Sequence, residues 1–166
     1  GTGLYTGTTY TVPTTPLTPI TNTTFLLGQL PYFKDQSTSN HAITPNGNVS
    51  LEPKSVFDNA AYSKSSHGAS TYFDGTDDYI TIPQTTDTDL TGDFTVEMWV
   101  YFNQLKSQGL IGKWSSGQYG WTLYALANNF GFYSGTGSNT GTLTDFNQAP
   151  VTNQWMHIAV SRTSGT

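Results

Sequence analysis

The chain has 166 residues, about the length of one domain. Only 10% of its residues are charged, its net charge is −5 and it contains no cysteine, which excludes disulfides, thiolate metal sites and a basic surface for nucleic acid. No apolar run of about 18 residues occurs, so membrane insertion is not expected. Four Trp, ten Tyr and nine Phe predict a folded core rich in aromatic side chains.

The N-terminal region is uncharged and interrupted by proline. Residues 1–33 contain no charged side chain, and residues 11–24 (TVPTTPLTPITNTT) contain three prolines and seven threonines. Proline at such close intervals excludes a helix and predicts a stiff, extended connector. The preceding residues 1–11 (GTGLYTGTTYT) predict a short strand with glycine breaks, so we expect residues 1–22 to be separate from the rest of the chain.

Short strands dominate the pattern from Phe25 onward. Residues 24–30 (TFLLGQL) form an apolar run of strand length, and the Pro-Asn-Gly sequence at 45–47 predicts a turn between two short strands. Residues 70–75 (STYFDG) and 78–83 (DYITIP) are rich in residues that favour β-structure.

The second half of the chain continues this pattern with longer segments. Strands are predicted at 93–103, 109–115, 119–128, 130–135 and 154–163. In the clearest of them, 93–103 (DFTVEMWVYFN), apolar residues alternate and both faces are bulky, so both are expected to be covered. No window shows helical periodicity longer than about two turns. The sequence therefore predicts an all-β sandwich or barrel.

Four segments occur in a characteristic order. They are FKDQSTSNHAIT (33–44), YFDGTDDYITIP (72–83), DFTVEMWVYF (93–102) and QWMHIAVSR (154–162). Together they resemble the laminin-G-like, concanavalin-A-like jelly-roll family, in which an FDG turn precedes a strand and a W-x-H-I-A strand follows later. The resemblance implies an antiparallel jelly-roll sandwich of two sheets. Ala42 departs from it, because the family usually has glycine after Asn-His.

The resemblance also leads to an expectation about domain boundaries. Family members have further strands after the W-x-H-I-A segment, so residues 23–166 are expected to form a jelly roll that lacks its last strands. Residues 1–22 are expected to be the terminal strand of a preceding repeat followed by a Pro/Thr linker. A junction of this kind resembles the tandem repeats of tailed-phage virion structural proteins, including those of cyanophages, and implies one repeat of a longer fibre or decoration protein.

The carboxylates of the predicted strands do not suggest catalysis. Glycosidases of related folds need two carboxylates that project from one strand face. Glu97 has Thr95 and Trp99 as its nearest neighbours on its face, and Asp93 only begins the strand. His157 is not accompanied by a nucleophile elbow. The sequence therefore predicts a protein that is not an enzyme, and a glycanase-related domain is the less favoured interpretation.

Aspartates are concentrated around the FDG turn. Six of the nine lie between Asp74 and Asp93, and calcium prefers carboxylate and carbonyl oxygens supplied by loops. The resemblance implies a structural Ca²⁺ near this turn, with Asp35, the Gly75 carbonyl and Asp77 as candidate ligands. The alternative is that these aspartates only initiate turns.

Aromatic and amide side chains are concentrated between Lys113 and Tyr133. Exposed rings can stack on the C–H faces of sugars, while amides pair with their hydroxyls. The candidate ligand-binding residues are Trp114, Gln118, Tyr119, Trp121, Asn128, Asn129 and Tyr133. The alternative is that these aromatic side chains pack in the core of the fold. Strand alternation puts Trp121 on one face and Tyr124 on the other, so either face could be the buried one.

These observations favour a non-enzymatic module at the outside of a cell or virion, for structural display and adhesion to surface carbohydrate. Other copies or neighbouring repeats of the same protein are the second expected partner. The uncharged first 33 residues favour the alternative of a purely structural repeat that assembles with its neighbours without a ligand. Exposure of the aromatic residues in 113–133 distinguishes the two hypotheses.

Overall fold

The computed structural model describes residues 2–28, 30–57, 68–115, 118–135 and 141–164. Within these ranges the regular elements are ten β-strands and one 3-10 turn at Thr86–Thr88. All strand pairs in the sheets are antiparallel. The predicted all-β class is therefore confirmed.

The chain divides into two compact units. The first contains Thr8–Thr88, and the second contains Thr2–Gly7 together with Asp89–Thr166. The N-terminal residues thus belong to the same unit as the C-terminal half of the chain, although Thr8–Thr88 separates them in sequence.

The first unit contains four short strands. They are β1 (Thr44–Asn46), β2 (Ser50–Glu52), β3 (Ser70–Tyr72) and β4 (Tyr79–Thr81). β1 pairs with β4 and β2 pairs with β3. The turn predicted at 45–47 is displaced along the chain, because Pro45 and Asn46 belong to β1 and the turn begins at Gly47. Gly47 has a φ of 75°, a conformation that glycine adopts without steric cost. A Cβ at this position would also overlap the Asp78 carboxylate.

The strands predicted at 24–30 and 1–11 are wrong for the described residues of both segments, which have no regular structure. In the first segment, Leu26 is buried but its backbone is bound by a loop. Its N–H donates to Asp35 Oδ1 at 3.0 Å, and its carbonyl accepts from the N–H of Gln36 at 2.9 Å. The apolar pattern of residues 24–30 therefore indicates a buried loop and not a strand of a sheet.

The second unit contains the longer strands. They are β5 (Phe94–Tyr101), β6 (Gln108–Ser115), β7 (Gln118–Ala125), β8 (Phe130–Gly135), β9 (Gly141–Asp145) and β10 (Trp155–Arg162). β6, β7, β8 and β9 form one sheet in that order, and β5 pairs with β10. The strands predicted in this half of the chain are confirmed, whereas β9 is an addition to them.

The core of the second unit lies between the β5–β10 pair and the four-stranded sheet. Its buried members are Phe94, Val96, Phe102, Leu123, Ala125, Phe130, Phe132 and Ile158. The ring of Phe132 lies 5.7 Å from that of Phe94, measured between centroids. Each large side chain buried in this way contributes about 2 kcal/mol relative to an exposed one. Two facing sheets with an aromatic core between them agree with the predicted concanavalin-A-like sandwich.

Candidate functional site

The four-stranded sheet turns a second, polar and aromatic surface away from its core. Leu123 and Phe132 are buried on the inner side, so their strand neighbours project from the opposite side. Cross-strand pairing then aligns the outward positions, with Tyr124 next to Gly131 and Gly131 next to Asp145. We call this surface the outer face. Its side chains are Trp114, Thr122, Tyr124, Tyr133, Leu143 and Asp145.

Glycines allow aromatic rings to lie across the strands of the outer face. A Cβ on Gly131 would overlap the phenol of Tyr124, and a Cβ on Gly141 would overlap the ring of Tyr133. Tyr124 crosses its glycine and donates a hydrogen bond from its hydroxyl to Asp145 Oδ1 at 3.3 Å. Burial and the nearby Asp145 carboxylate raise the pKa of Tyr124. The phenol therefore remains protonated and holds the carboxylate in place.

Trp114 and Tyr133, two of the predicted ligand-binding residues, contact one another on the outer face. Their ring centroids are 5.5 Å apart with an interplanar angle of 70°, which is the favourable edge-to-face arrangement. Trp114 is 50% exposed and Leu143, on β9, is 54% exposed. Half of the Trp114 side chain thus faces solvent while Tyr133 fixes the orientation of the indole.

Trp121 occupies a different position. Its ring stacks on Phe132 with centroids 6.2 Å apart, on the inner side of the sheet where it contacts the buried cluster. Trp121 therefore packs against the core, which was the alternative to ligand binding for the aromatic residues of this segment. Its large side chain supports the sheet beneath the outer face.

Asn128 and Asn129 lie in the turn between β7 and β8. Ala125 at this end of β7 pairs with Gln108, whereas Trp114 pairs with Tyr119 near the other end, about 20 Å away along the strand. The structure therefore does not bring the two asparagines to the Trp114–Tyr133 pair. The side chains of the remaining candidates, Gln118 and Tyr119, lie outside the described residues.

Two outer-face residues, Tyr124 and Asp145, were not among the predicted ligand-binding residues. Alternation within 119–128 already put Tyr124 opposite Trp121, so that signal was present in the sequence. Asp145 could not be found in this way, because its glycine- and threonine-rich strand was not predicted. Only the register of β8 and β9 brings Asp145 beside Tyr124.

An acidic cluster lies at the FDG turn. Ligand oxygens of Asp74, Asp77 and Asp78 all lie within 4.8 Å of one another. Asp78 joins two turns, because its Oδ1 accepts from the N–H of Asn48 at 2.7 Å and its Oδ2 from the N–H of Asp74 at 2.8 Å. Three exposed or half-exposed carboxylates at this spacing fit the oxygen donors that a divalent cation requires.

Asp35 organises the loop that carries it. The residue is 1% exposed, and its Oδ1 accepts from the N–H groups of Leu26 and Ser37, at 3.0 and 2.9 Å. Its Oδ2 accepts from the Ser37 hydroxyl and the His41 N–H, both at 2.9 Å. Burial acts to raise the pKa of Asp35, but these hydrogen bonds outweigh it and leave the pKa lowered. The calcium roles of Asp35 and of Gly75, which lies between Asp74 and Asp77, stay predictions.

The outward surface of the β5–β10 pair contains a shielded contact between an imidazole and a carboxylate. His157 Nε2 lies 3.2 Å from Glu97 Oε2, and the two side chains are 2% and 14% exposed. Burial acts to raise the pKa of Glu97, but hydrogen bonds from His157 and Tyr5 and the charge of His157 leave it lowered. Among the outward positions of these two strands, all of which the structure describes, Glu97 is the single carboxylate. A carboxylate pair for glycoside hydrolysis is not assembled there.

Comparison with protein families agrees with this architecture. Residues 74–166, more than half of the chain, match the laminin G family model described as the concanavalin A-like lectin/glucanases superfamily. The chain therefore belongs to this family, whose lectin-type fold fits a carbohydrate-binding or adhesion module. No curated protein and no solved structure gave a match. In the part of the chain that the structure describes, no helix has the length and hydropathy to cross a bilayer.

Proposed function

We propose that this chain is a non-enzymatic module that binds surface carbohydrate through the outer face of its four-stranded sheet. The observation that carries the proposal is the half-exposed ring of Trp114, held edge-on by Tyr133. Such a ring offers an apolar platform for the C–H face of a sugar. The Tyr124–Asp145 pair on the same face offers polar atoms for sugar hydroxyls.

The rigidity of this surface favours binding. Trp114 and Tyr133 already contact one another, and Tyr124 is confined between Gly131 and the Asp145 carboxylate. Side chains that are ordered before binding lose less conformational entropy when a ligand arrives. The four side chains of this surface, those of Trp114, Tyr124, Tyr133 and Asp145, lie on paired strands. Paired strands position a binding surface more accurately than loops do.

Binding of the full chain to a glycan array, followed by calorimetry on the best ligand, tests the proposal. Trp114→Ala is expected to lower affinity at least tenfold, since stacking on a half-exposed indole is lost. Tyr72→Ala is the matched control, because Tyr72 is 43% exposed but lies on β3 in the other unit. The proposal is wrong if no glycan binds the full chain, or if the two variants bind equally well.

A calcium ion at the FDG turn is part of this proposal. The three carboxylates of Asp74, Asp77 and Asp78 would hold it, and its charge would offset their mutual repulsion. The bound ion would stabilise the turn and, through the contacts of Asp78 with Asn48 and Asp74, the neighbouring Asn-Gly turn.

The setting proposed for the module is a cell or virion surface, as one repeat of a longer fibre or decoration protein. Support comes from the threonine- and proline-rich connector, which remains largely exposed, and from the absence of charge in residues 1–33. The competing function is a purely structural repeat. Exposure of Val12 and Ile20, 40% and 48%, favours it, since contacts with a neighbouring copy would cover both. The complete reading frame distinguishes a repeat from a single domain by the presence of tandem copies.

A further inference from the structure

The N-terminal residues Thr2–Gly7, which we call the strap, are bound to the outward surface of the β5–β10 pair. The N–H of Leu4 donates to Thr95 Oγ1 at 2.8 Å, and the N–H of Tyr5 donates to Ser161 Oγ at 3.3 Å. The Tyr5 hydroxyl donates to Glu97 Oε2 at 2.6 Å. Three hydrogen bonds from consecutive residues therefore hold the strap to two different strands.

The strap is recognised by a defined surface, which we call the dock. The dock consists of Thr95, Glu97, Ser161 and Thr163. Gly3 lies so close to Thr163 and to the Arg162 carbonyl that a Cβ would overlap both. The dock thus selects a glycine by close approach and a tyrosine, two residues later, by its hydroxyl.

Tyr5 provides the strongest of these contacts. Its acceptor, Glu97, is paired with the buried His157 and is itself only 14% exposed. A hydrogen bond to a carboxylate in such a shielded place is about twice as strong as one between neutral groups. Loss of the Tyr5 hydroxyl would leave Glu97 with one partner fewer in a place that water reaches poorly.

The connector that follows the strap can carry it a long way. Thr8–Asn22 is largely exposed and contains Pro13, Pro16 and Pro19. A proline-rich segment of about 15 residues spans roughly 45 Å when extended, and its stiffness opposes folding back on itself. The strap of one molecule can therefore reach the dock of another.

We propose that the strap is exchanged between copies of this chain, so that the dock of one copy binds the strap of a second. The contacts are the same whether the strap comes from its own molecule or from another, so concentration and the connector decide between the two. Since the strap and dock are different surfaces, exchange produces either reciprocal pairs or an open row of copies. The partner is a second copy of this chain, and the inference does not depend on carbohydrate binding.

Photo-cross-linking of the full chain tests the exchange. Leu4, which is 42% exposed, is replaced by a photoreactive benzoylphenylalanine in an equal mixture of ¹⁴N- and ¹⁵N-labelled protein. If every strap docks in another copy, about half of the cross-links from position 4 to β5 or β10 will join the two isotopes, and this fraction will fall on dilution. The same substitution at Val151, 41% exposed, measures random encounters. Mixed cross-links at or below that control at about 0.5 mM would overturn the proposal.

Sedimentation of unlabelled protein provides a second, independent readout. The mean mass of the wild type is expected to rise with concentration, and Tyr5→Phe is expected to weaken association at least fivefold. Tyr32→Phe serves as the matched control, because Tyr32 is an exposed tyrosine of the other unit and should associate like the wild type. Equal association of the wild type and Tyr5→Phe would contradict a role for the strap.

Discussion

At the scale of single residues, buried and half-buried carboxylates organise the backbone around them. Asp35 accepts four hydrogen bonds and draws the backbones of Leu26, Ser37 and His41 to one point. Glu97 accepts from Tyr5 and lies within hydrogen-bonding distance of His157. In both cases the charge is stabilised by donors placed around it, which also makes the fold depend on that charge.

Asp35→Asn is expected to destabilise the first unit by about 2–4 kcal/mol, because an amide nitrogen would face backbone N–H groups that lose their acceptor. Urea denaturation of the two proteins measures the difference. The matched control is Glu52→Gln, an exposed carboxylate, which should change stability by no more than about 0.5 kcal/mol. Similar effects of the two variants would mean that the Asp35 hydrogen bonds contribute little.

Gly131→Ala is expected to displace the Tyr124 ring, because the new Cβ would overlap its hydroxyl. The cost should be about 1–3 kcal/mol, and the hydrogen bond to Asp145 should be lost with it. Thermal unfolding measures the first effect, and an NMR pH titration of the ring signals of Tyr124 measures the second. Gly92→Ala, with no atom within 4 Å of its Cβ position, is the control; equal melting temperatures for both variants would show that the ring tolerates the change.

At the scale of elements, strand position determines what each strand can do. β7 lies between β6 and β8, whereas β9 ends the sheet and exposes all five of its residues. A central strand loses its hydrogen bonds only when the sheet opens, but the terminal strand of a sheet can detach alone. The edge strand therefore combines access for a ligand with low local stability.

Amide hydrogen exchange is expected to be at least a hundredfold slower in β7 than in β9 at neutral pH. The reason is that exchange from β9 needs only local opening. Mass spectrometry of peptides that cover Thr122–Ala125 and Thr142–Asp145 measures the ratio. Comparable protection of the two would indicate that a partner molecule covers β9 in solution.

At the scale of the whole molecule, each unit contains a carboxyl with a lowered pKa, Asp35 in the first and Glu97 in the second. A carboxyl whose pKa is lower in the folded than in the unfolded chain stabilises the fold above its unfolded value, about 3.9 for Asp and 4.3 for Glu. That stabilisation is lost as the pH falls through the folded value.

The free energy of unfolding is therefore expected to be steady from about pH 7 to 5 and to fall below about pH 4. Asp35→Asn and Glu97→Gln should each make this fall shallower, since each removes one carboxyl whose pKa is lowered in the folded chain. Urea denaturation at several pH values measures the slope. An unchanged slope in both variants would assign acid sensitivity to other carboxyls.

Calcium is expected to raise the melting temperature of the whole chain if it binds at the FDG turn. At a free concentration a hundred times the dissociation constant, the gain is about 2.7 kcal/mol, or several degrees for a chain of this size. Scanning calorimetry with Ca²⁺ and with EDTA measures it. Asp77→Asn should abolish the shift and Asp145→Asn should retain it; identical melting temperatures with Ca²⁺ and EDTA would show that the cluster holds no calcium.

The two tryptophans of β6 and β7 mark the limit of sequence-based prediction here. Alternation in 93–103, 119–128 and 154–163 sorted the residues of these strands into two faces, because successive side chains of a strand point in opposite directions. Alternation alone does not predict which aromatic side chains of residues 113–133 are exposed to solvent. Trp114 is half-exposed and Trp121 is partly buried against the core because the β5–β10 pair covers one side of the sheet.

By itself, the amino-acid sequence determined the β-class, the strands of the second half other than β9, the glycine turns at Gly47 and at the FDG motif, and the family. All of these depend on local backbone preferences and on short motifs. Only the tertiary structure decided that Asp145 reaches Tyr124 and that Tyr5 reaches Glu97, because these contacts depend on strand register and on chain closure over 92 residues. Local patterns contain no information about which distant segments will meet.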